Sequence, residues 1–274
     1  MNKENELRKQ IKSYNNKYKV LQKEIPEIDY CNTSDMLETF GKFAETKEQL
    51  TQFKSCPERI STFNGFTMFT NENRKFTILV NNNQFNSNKD YIHTVTHEYT
   101  HVLDYYKYMK ENAIQNFDDM MQTKYGNTIY LWSEYHARLR GTEVYYKEYV
   151  FKKLVTGQCQ IRNCLNGELK SKLQDIDSEL IWFENNKNNF TLPIKDVVTM
   201  AMYNLTQHFG RFDAWKQWIN INNFPNERII ELFSPYIVEY YTLLSKSKDY
   251  YHLKINLEDL HNALNKIYEY IKNY

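Results

Sequence analysis

With 274 residues, 41% of them apolar, the chain is long enough to bury one large core or two modest ones, and too apolar to be disordered. Its 35 basic and 34 acidic residues leave a formal net charge of +1, so no basic excess points to nucleic acid or to an anionic membrane surface. Only 7 Gly and 5 Pro punctuate it, which argues for long helices and few turns.

The N-terminal stretch MNKENELRKQIKSYNNKYKV is charged throughout and lacks the apolar core of a signal peptide. No run reaches the roughly 18 apolar residues that a spanning helix needs. A cytoplasmic location is therefore expected. There the four cysteines, Cys31, Cys56, Cys159 and Cys164, which form no CxxC pair, are expected to be free thiols.

In chain order, residues 3–24 read as a polar helix stopped by Pro26. Ser34 or Thr33 is placed to cap a second helix over 35–53, and SCPER marks a boundary. The β signal follows: GFTMFT (65–70) and KFTILV (75–80) are β-branched and aromatic, joined by NENR as a hairpin turn. The edge of KFTILVN is a candidate for pairing with an extended peptide. NNNQFNSNKD (81–90) reads as a polar loop, with Ser87 or Asn88 capping a helix over 89–110. A looser segment separates that helix from another, starting at Ile129 and reaching Leu154, in which Gly141 is a weak point. After TGQCQIRNCLNG, helices are expected near 167–185, 193–208, 212–219, 227–245 and 256–272, with Pro193 in a first turn.

The expected fold class is α+β and predominantly helical, with a small sheet just before the 89–110 helix. Residues 1–55 are expected to form an N-terminal helical segment, 56–155 a core, and 156–274 a C-terminal helical region.

The chemistry-bearing stretch is HTVTHEYTHVLDYY, residues 93–106. Within it, HEYTH is H-E-x-x-H. On a helix, residues four apart lie on one face, so His97 and His101 can reach one ion. Glu98 is turned by about 100° from His97. It faces the ion's open side, where it can act as general base on an activated water. Ile92, Val95, Tyr99, Val102, Leu103 and Tyr106 form an apolar stripe for the core. His93 lies one turn earlier, but three histidines at this spacing span about 12 Å along a straight helix and do not easily converge. It reads as a lining residue, as a support behind the ligands, or as simply exposed.

A catalytic zinc site needs a third protein ligand, and that ligand must come from elsewhere. Glu134, in LWSEYHAR, is the candidate, with Glu143 as the fallback. HEYTHVLDYY followed by SEYHAR resembles the gluzincin metallopeptidases, most nearly the minimal ones such as lethal-factor-type toxin domains and mobile-element-borne peptidases. The resemblance covers roughly residues 60–145. It implies a zincin-like core, zinc bound by His97, His101 and Glu134, Glu98 as base, and endopeptidase rather than exopeptidase activity.

The metzincin pattern does not fit: it needs a glycine at position 104 and a histidine at 107, where this chain has Asp104 and Lys107. The thermolysin-type pattern places an acidic residue four after the ligand glutamate, where this chain has Arg138. Asp104 is a candidate acceptor for the second ring nitrogen of a ligand histidine, the alternative being an ordinary exposed aspartate. Tyr130, Arg138, Tyr145 and His208 are candidate oxyanion donors; His136 points away from the face of Glu134.

The expected activity is zinc-dependent hydrolysis of a peptide or protein substrate, with no nucleic-acid or membrane partner. The competing reading is a non-catalytic helical interaction protein with an incidental HEYTH. A weaker one is a DNA-associated regulator whose peptidase domain cuts a repressor.

Overall fold

The computed structural model describes residues 3–69, 75–84, 88–146, 157–187, 193–221 and 224–273. It is predominantly helical with one three-stranded sheet, an α+β arrangement. No helix among the described residues is long and apolar enough to cross a membrane. The chain divides into two compact units, Met1–Gly126 with Arg140–Tyr149, and Asn127–Leu139 with Val150–Tyr274.

In the first unit the sheet is built from β1 (Glu27–Thr33), β2 (Gly65–Phe69) and β3 (Lys75–Asn81), in the order β1-β3-β2. β2 and β3 are antiparallel, with Thr67 opposite Ile78, while the NENR turn expected between them lies outside the described residues. β1 was not expected. It runs parallel to β3, with Tyr30 opposite Ile78. β3 is thus paired on both sides, so its edge is not open to a peptide; the outer edge on this side belongs to β2. EIDYCNT mixes strand-favouring Ile28, Tyr30 and Thr33 with Glu27, Asp29 and Asn32, which strands disfavour, and its pairing with β3 is what extends it.

Helix α1 (Lys3–Tyr18) ends earlier than the expected 3–24, where Lys19 takes the left-handed conformation, and a 3₁₀ turn follows at Gln22–Glu24. The single helix expected over 35–53 is two, α2 (Met36–Phe43) and α3 (Lys47–Ser55). Asp35, not Ser34 or Thr33, caps α2 by accepting from Glu38 N. Thr46 and Gln49 form a reciprocal capping box that starts α3. The short α4 (Pro57–Ser61) follows. Met36, Phe40, Ile60, Met68 and Leu79 form the small core that binds these helices to the sheet.

Helix α5 (Asn88–Glu111) carries the histidines. Its whole expected apolar stripe is buried. On the α1 side, Tyr14 and Thr100 share a 3.0 Å hydrogen bond and the Tyr99 hydroxyl donates to Asn15 at 2.9 Å. After α6 (Phe117–Gln122) comes α7 (Gly126–Tyr145), a helix with residues in both units. It runs unbroken through Gly141. A Cβ there would lie 3.3 Å from His93 Nε2 and 3.3 Å from its carbonyl oxygen, so the glycine serves a close approach to α5. The part of the expected helix beyond residue 146 lies outside the described residues.

In the second unit, α8 (Gly157–Asn186) already includes the residues of QCQIRNCLNG, which were expected to be loop. Cys164 here, and Cys31 and Cys56 in the first unit, are free thiols; the side chain of Cys159 lies outside the described residues. Helix α9 (Ile194–Trp215) is continuous where two helices with a break near Gly210 were expected. A Cβ on Gly210 would sit 2.2 Å from the Tyr135 carbonyl oxygen, so this glycine is a contact point with α7 and not a helix end. The expected 227–245 helix is split into α10 (Glu227–Phe233) and α11 (Tyr236–Lys246) by Ser234, at φ 74°, and Pro235. Asp249 caps α12 (Tyr250–Lys272), which starts earlier than expected.

One buried carboxylate ties three of these helices together. Asp213 on α9 accepts from Tyr135 of α7 (2.7 Å), from Tyr241 of α11 (2.6 Å) and from Ser245, and pairs with Lys216 at 2.8 Å.

Candidate metal centre

Helix α5 is buried on nearly every side, so its histidines stand in the interior and not on a solvated face: His97 is 8% exposed and His101 5%. Their spacing of one turn places the two Nε2 atoms 3.1 Å apart, with ring planes at 89°. Two imidazoles directed at one point are suited to share a cation or an N–H···N bond. Glu134 on α7, 5% exposed, completes the group: His97, His101 and Glu134 each offer one ligand atom, and these atoms lie within 4.8 Å of one another.

The donor set fits a metal on two counts. Two nitrogens bound to one tetrahedral ion at roughly 2.0–2.1 Å would be about 3.3 Å apart, close to the spacing seen. Two imidazoles and one carboxylate are also the set of a catalytic site that keeps an open position. The buried His-His-Glu group is therefore able to hold a metal ion.

The surroundings hold the pieces in place. His101 stacks on Tyr105, with ring centroids 5.6 Å apart and planes at 5°. Tyr105 in turn meets Phe69 and Phe117 edge-on. Glu98, directly after His97 and 8% exposed, accepts from the Thr67 hydroxyl at Oε2 (2.8 Å) and at its carbonyl oxygen (3.1 Å). Thr67 belongs to β2, so the edge strand reaches the motif glutamate directly. Nothing in GFTMFT alone singles out Thr67.

In the second unit, Gln207 Nε2 of α9 donates to Glu134 Oε2 at 3.2 Å. The Gln207 amide oxygen in turn accepts from Arg138 Nη2. Arg138, which stands where the thermolysin-type pattern has an acid, thus shares Gln207 with Glu134. Gln207 was not among the expected site residues; its neighbour His208 was. Tyr135, the residue after Glu134, is locked to Asp213.

The other expected residues are placed as follows. Glu143 is engaged elsewhere: it accepts from Tyr18 at 2.9 Å and pairs with Arg140 at 3.1 Å. His93 is half-buried against Gly141 and meets Tyr145 edge-on. It is not in the His-His-Glu group. Asp104 is 2% exposed, so the exposed alternative for it does not hold. Tyr130 stacks on Tyr203, and His136 on Trp132.

His208 is mid-helix, not at a helix end. Its Nε2 lies 3.3 Å from Glu179 Oε1 and its Nδ1 3.4 Å from Arg211 Nη1. An Nε2–H donated to Glu179 leaves Nδ1 to accept from Arg211, so both ring nitrogens have protein partners. Burial pushes this imidazole below its ordinary pKa, against the pull of Glu179.

No family model, curated protein or solved structure matches the chain; what it is rests on its own residues, of which the buried group His97, His101 and Glu134, able to hold a metal ion, is the most informative.

Proposed function

We propose that this chain is a zinc-dependent peptidase of gluzincin type that hydrolyses a peptide or protein substrate, an endopeptidase rather than an exopeptidase. The observation that carries the reading is the juxtaposition of a buried His-His-Glu donor set with a second carboxylate, Glu98, next in the chain to His97. His97, His101 and Glu134 would hold the ion. When bound, zinc supplies Lewis acidity, polarising a carbonyl and acidifying water.

The chain's own residues supply the rest. Glu98 takes a proton from the water as its oxygen adds to the carbonyl carbon, then passes it to the amine nitrogen as the C–N bond breaks. Thr67 holds one oxygen of that carboxylate and so fixes its direction. The outer edge of β2, the strand that carries Thr67, supports docking of an extended main chain beside the base.

The test uses protein purified without a histidine tag. Elemental analysis is expected to find about one zinc per chain, and Glu98→Gln to keep the metal and lose hydrolysis of a peptide library. A chain that takes up no metal and gains no stability from added zinc would instead support the interaction-protein reading.

A further inference from the structure

Resting on that reading of the site, we infer that Gln207 and Arg138 form a positioning relay for Glu134, with the neutral amide of Gln207 between the guanidinium and the carboxylate. The three residues are one hydrogen-bonded chain: Arg138 donates to the Gln207 amide oxygen, and the Gln207 amide nitrogen donates to Glu134 Oε2 at 3.2 Å.

The order of the chain matters. A primary amide has two chemically different ends, and either can face a carboxylate's surroundings. Arg138 has no acceptor, so it can bind only the amide oxygen. That choice turns the NH₂ end toward Glu134. The guanidinium therefore acts on Glu134 through Gln207, by fixing which end of the amide the carboxylate meets.

The energetics point the same way. Glu134 is 5% exposed, and a buried carboxylate needs donors to its charged form. A donor at Oε2 lowers the number of orientations in which the carboxylate can offer its electrons to an ion. It also draws charge from that oxygen, leaving a bound ion more electrophilic than a carboxylate partner would. Residues that orient a ligand in this way typically change metal affinity by about 10- to 100-fold.

Two contacts at Tyr135 and one helix face keep the relay in register. Gly210, three residues beyond Gln207, lets α9 approach the α7 backbone at Tyr135. Tyr135 is bonded to Asp213 of the same helix α9. Arg138 lies one turn beyond Glu134 on α7, so the two ends of the relay share a face of one helix.

The experiment measures zinc affinity by chelator competition, and the visible absorption of the cobalt(II)-substituted protein, in four chains: wild type, Gln207→Met, Arg138→Met and the double variant. Methionine preserves side-chain length and flexibility without the amide. Gln207→Met is expected to weaken zinc binding by about 10- to 100-fold and to alter the cobalt spectrum. Arg138→Met should weaken binding less, and should add nothing in the Gln207→Met background. Circular dichroism of the metal-free proteins establishes that each is folded, and a variant that is not folded is replaced by Gln207→Leu or Arg138→Leu. If wild type binds zinc but Gln207→Met binds it within threefold, with the cobalt spectrum unchanged, the relay is overturned. Additive losses in the double variant would also overturn it. If wild type itself binds no metal, it is the reading of the site that fails.

Discussion

The Thr67 hydroxyl donates to Glu98 Oε2 at 2.8 Å, joining the edge strand of the sheet to the glutamate of the H-E-x-x-H helix. Both residues are buried, Thr67 at 3% exposure and Glu98 at 8%. A hydrogen bond to a buried charged acceptor contributes about 1.5–3 kcal/mol. Thr67→Val, which keeps the shape and removes the donor, is expected to lower kcat by about 10- to 100-fold with metal content unchanged. Thr67→Ser should restore most of the loss. Steady-state kinetics with metal analysis on the same samples checks both.

Occupancy of the His-His-Glu group should appear as stability. A ligand present at 100 times its Kd stabilises the folded state by about 2.7 kcal/mol. For a chain of this size that corresponds to a Tm rise of roughly 5–10 °C. Calorimetry with saturating zinc, against chelator-treated protein, is expected to show this rise in wild type. His101→Ala should melt at one temperature with or without zinc.

Asp213 predicts an acid-sensitive second unit. Burial pushes its carboxyl pKa up, but hydrogen bonds from Lys216, Ser245, Tyr241 and Tyr135 outweigh it and hold the value below the ordinary carboxylate range. The folded pKa is thus below the unfolded one, about 3.9. The stabilisation is fully present above the unfolded value and is lost as pH falls through the folded one. Wild type should lose stability steeply below about pH 4. Asp213→Asn is expected to cost about 3 kcal/mol at neutral pH and to flatten that acid slope, as denaturant titrations across pH would show.

Two glycines make a contrasting pair. A Cβ on Gly210 would meet the Tyr135 carbonyl oxygen at 2.2 Å, whereas one on Gly167 would meet nothing within 4 Å. Gly210→Ala must push two helix backbones apart and is expected to cost about 1–3 kcal/mol or more. Gly167→Ala, on α8, should stabilise by about 0.5–1 kcal/mol through helix propensity. Chemical denaturation of the two variants side by side separates packing from propensity.

These residues also show what a sequence reveals and what it hides. The α5 helix and the strands β2 and β3 were legible because their signals are local: a four-residue repeat of histidines with an apolar stripe, and runs of β-branched and aromatic side chains. β1 was hidden because EIDYCNT becomes a strand only against β3, far along the chain. Glycine misled at 167 and 210, where a break was expected and the helix continues; at Gly210 the residue answers to a neighbouring backbone, which spacing does not encode. Glu134 was the expected third ligand and Glu143 the fallback. Their carboxylates differ in company: Glu143 meets Arg140 and Tyr18, while Glu134 stands with His97 and His101. Thr67 and Gln207 were out of reach, since a hydroxyl or an amide gains a role only from the atom it faces.

The placement of β1 also bears on how the protein can be shortened. The first 33 residues look expendable in the sequence, polar and without a motif. Deleting them would strip β3 of its parallel partner and leave Phe76, Ile78 and Val80 on a newly open edge. It would also remove Tyr14 and Asn15 from the back of the histidine helix. An apolar edge strand is a template for pairing with other chains. The truncated protein should therefore fail by self-association, as sheet-rich aggregates, before any question of its chemistry arises.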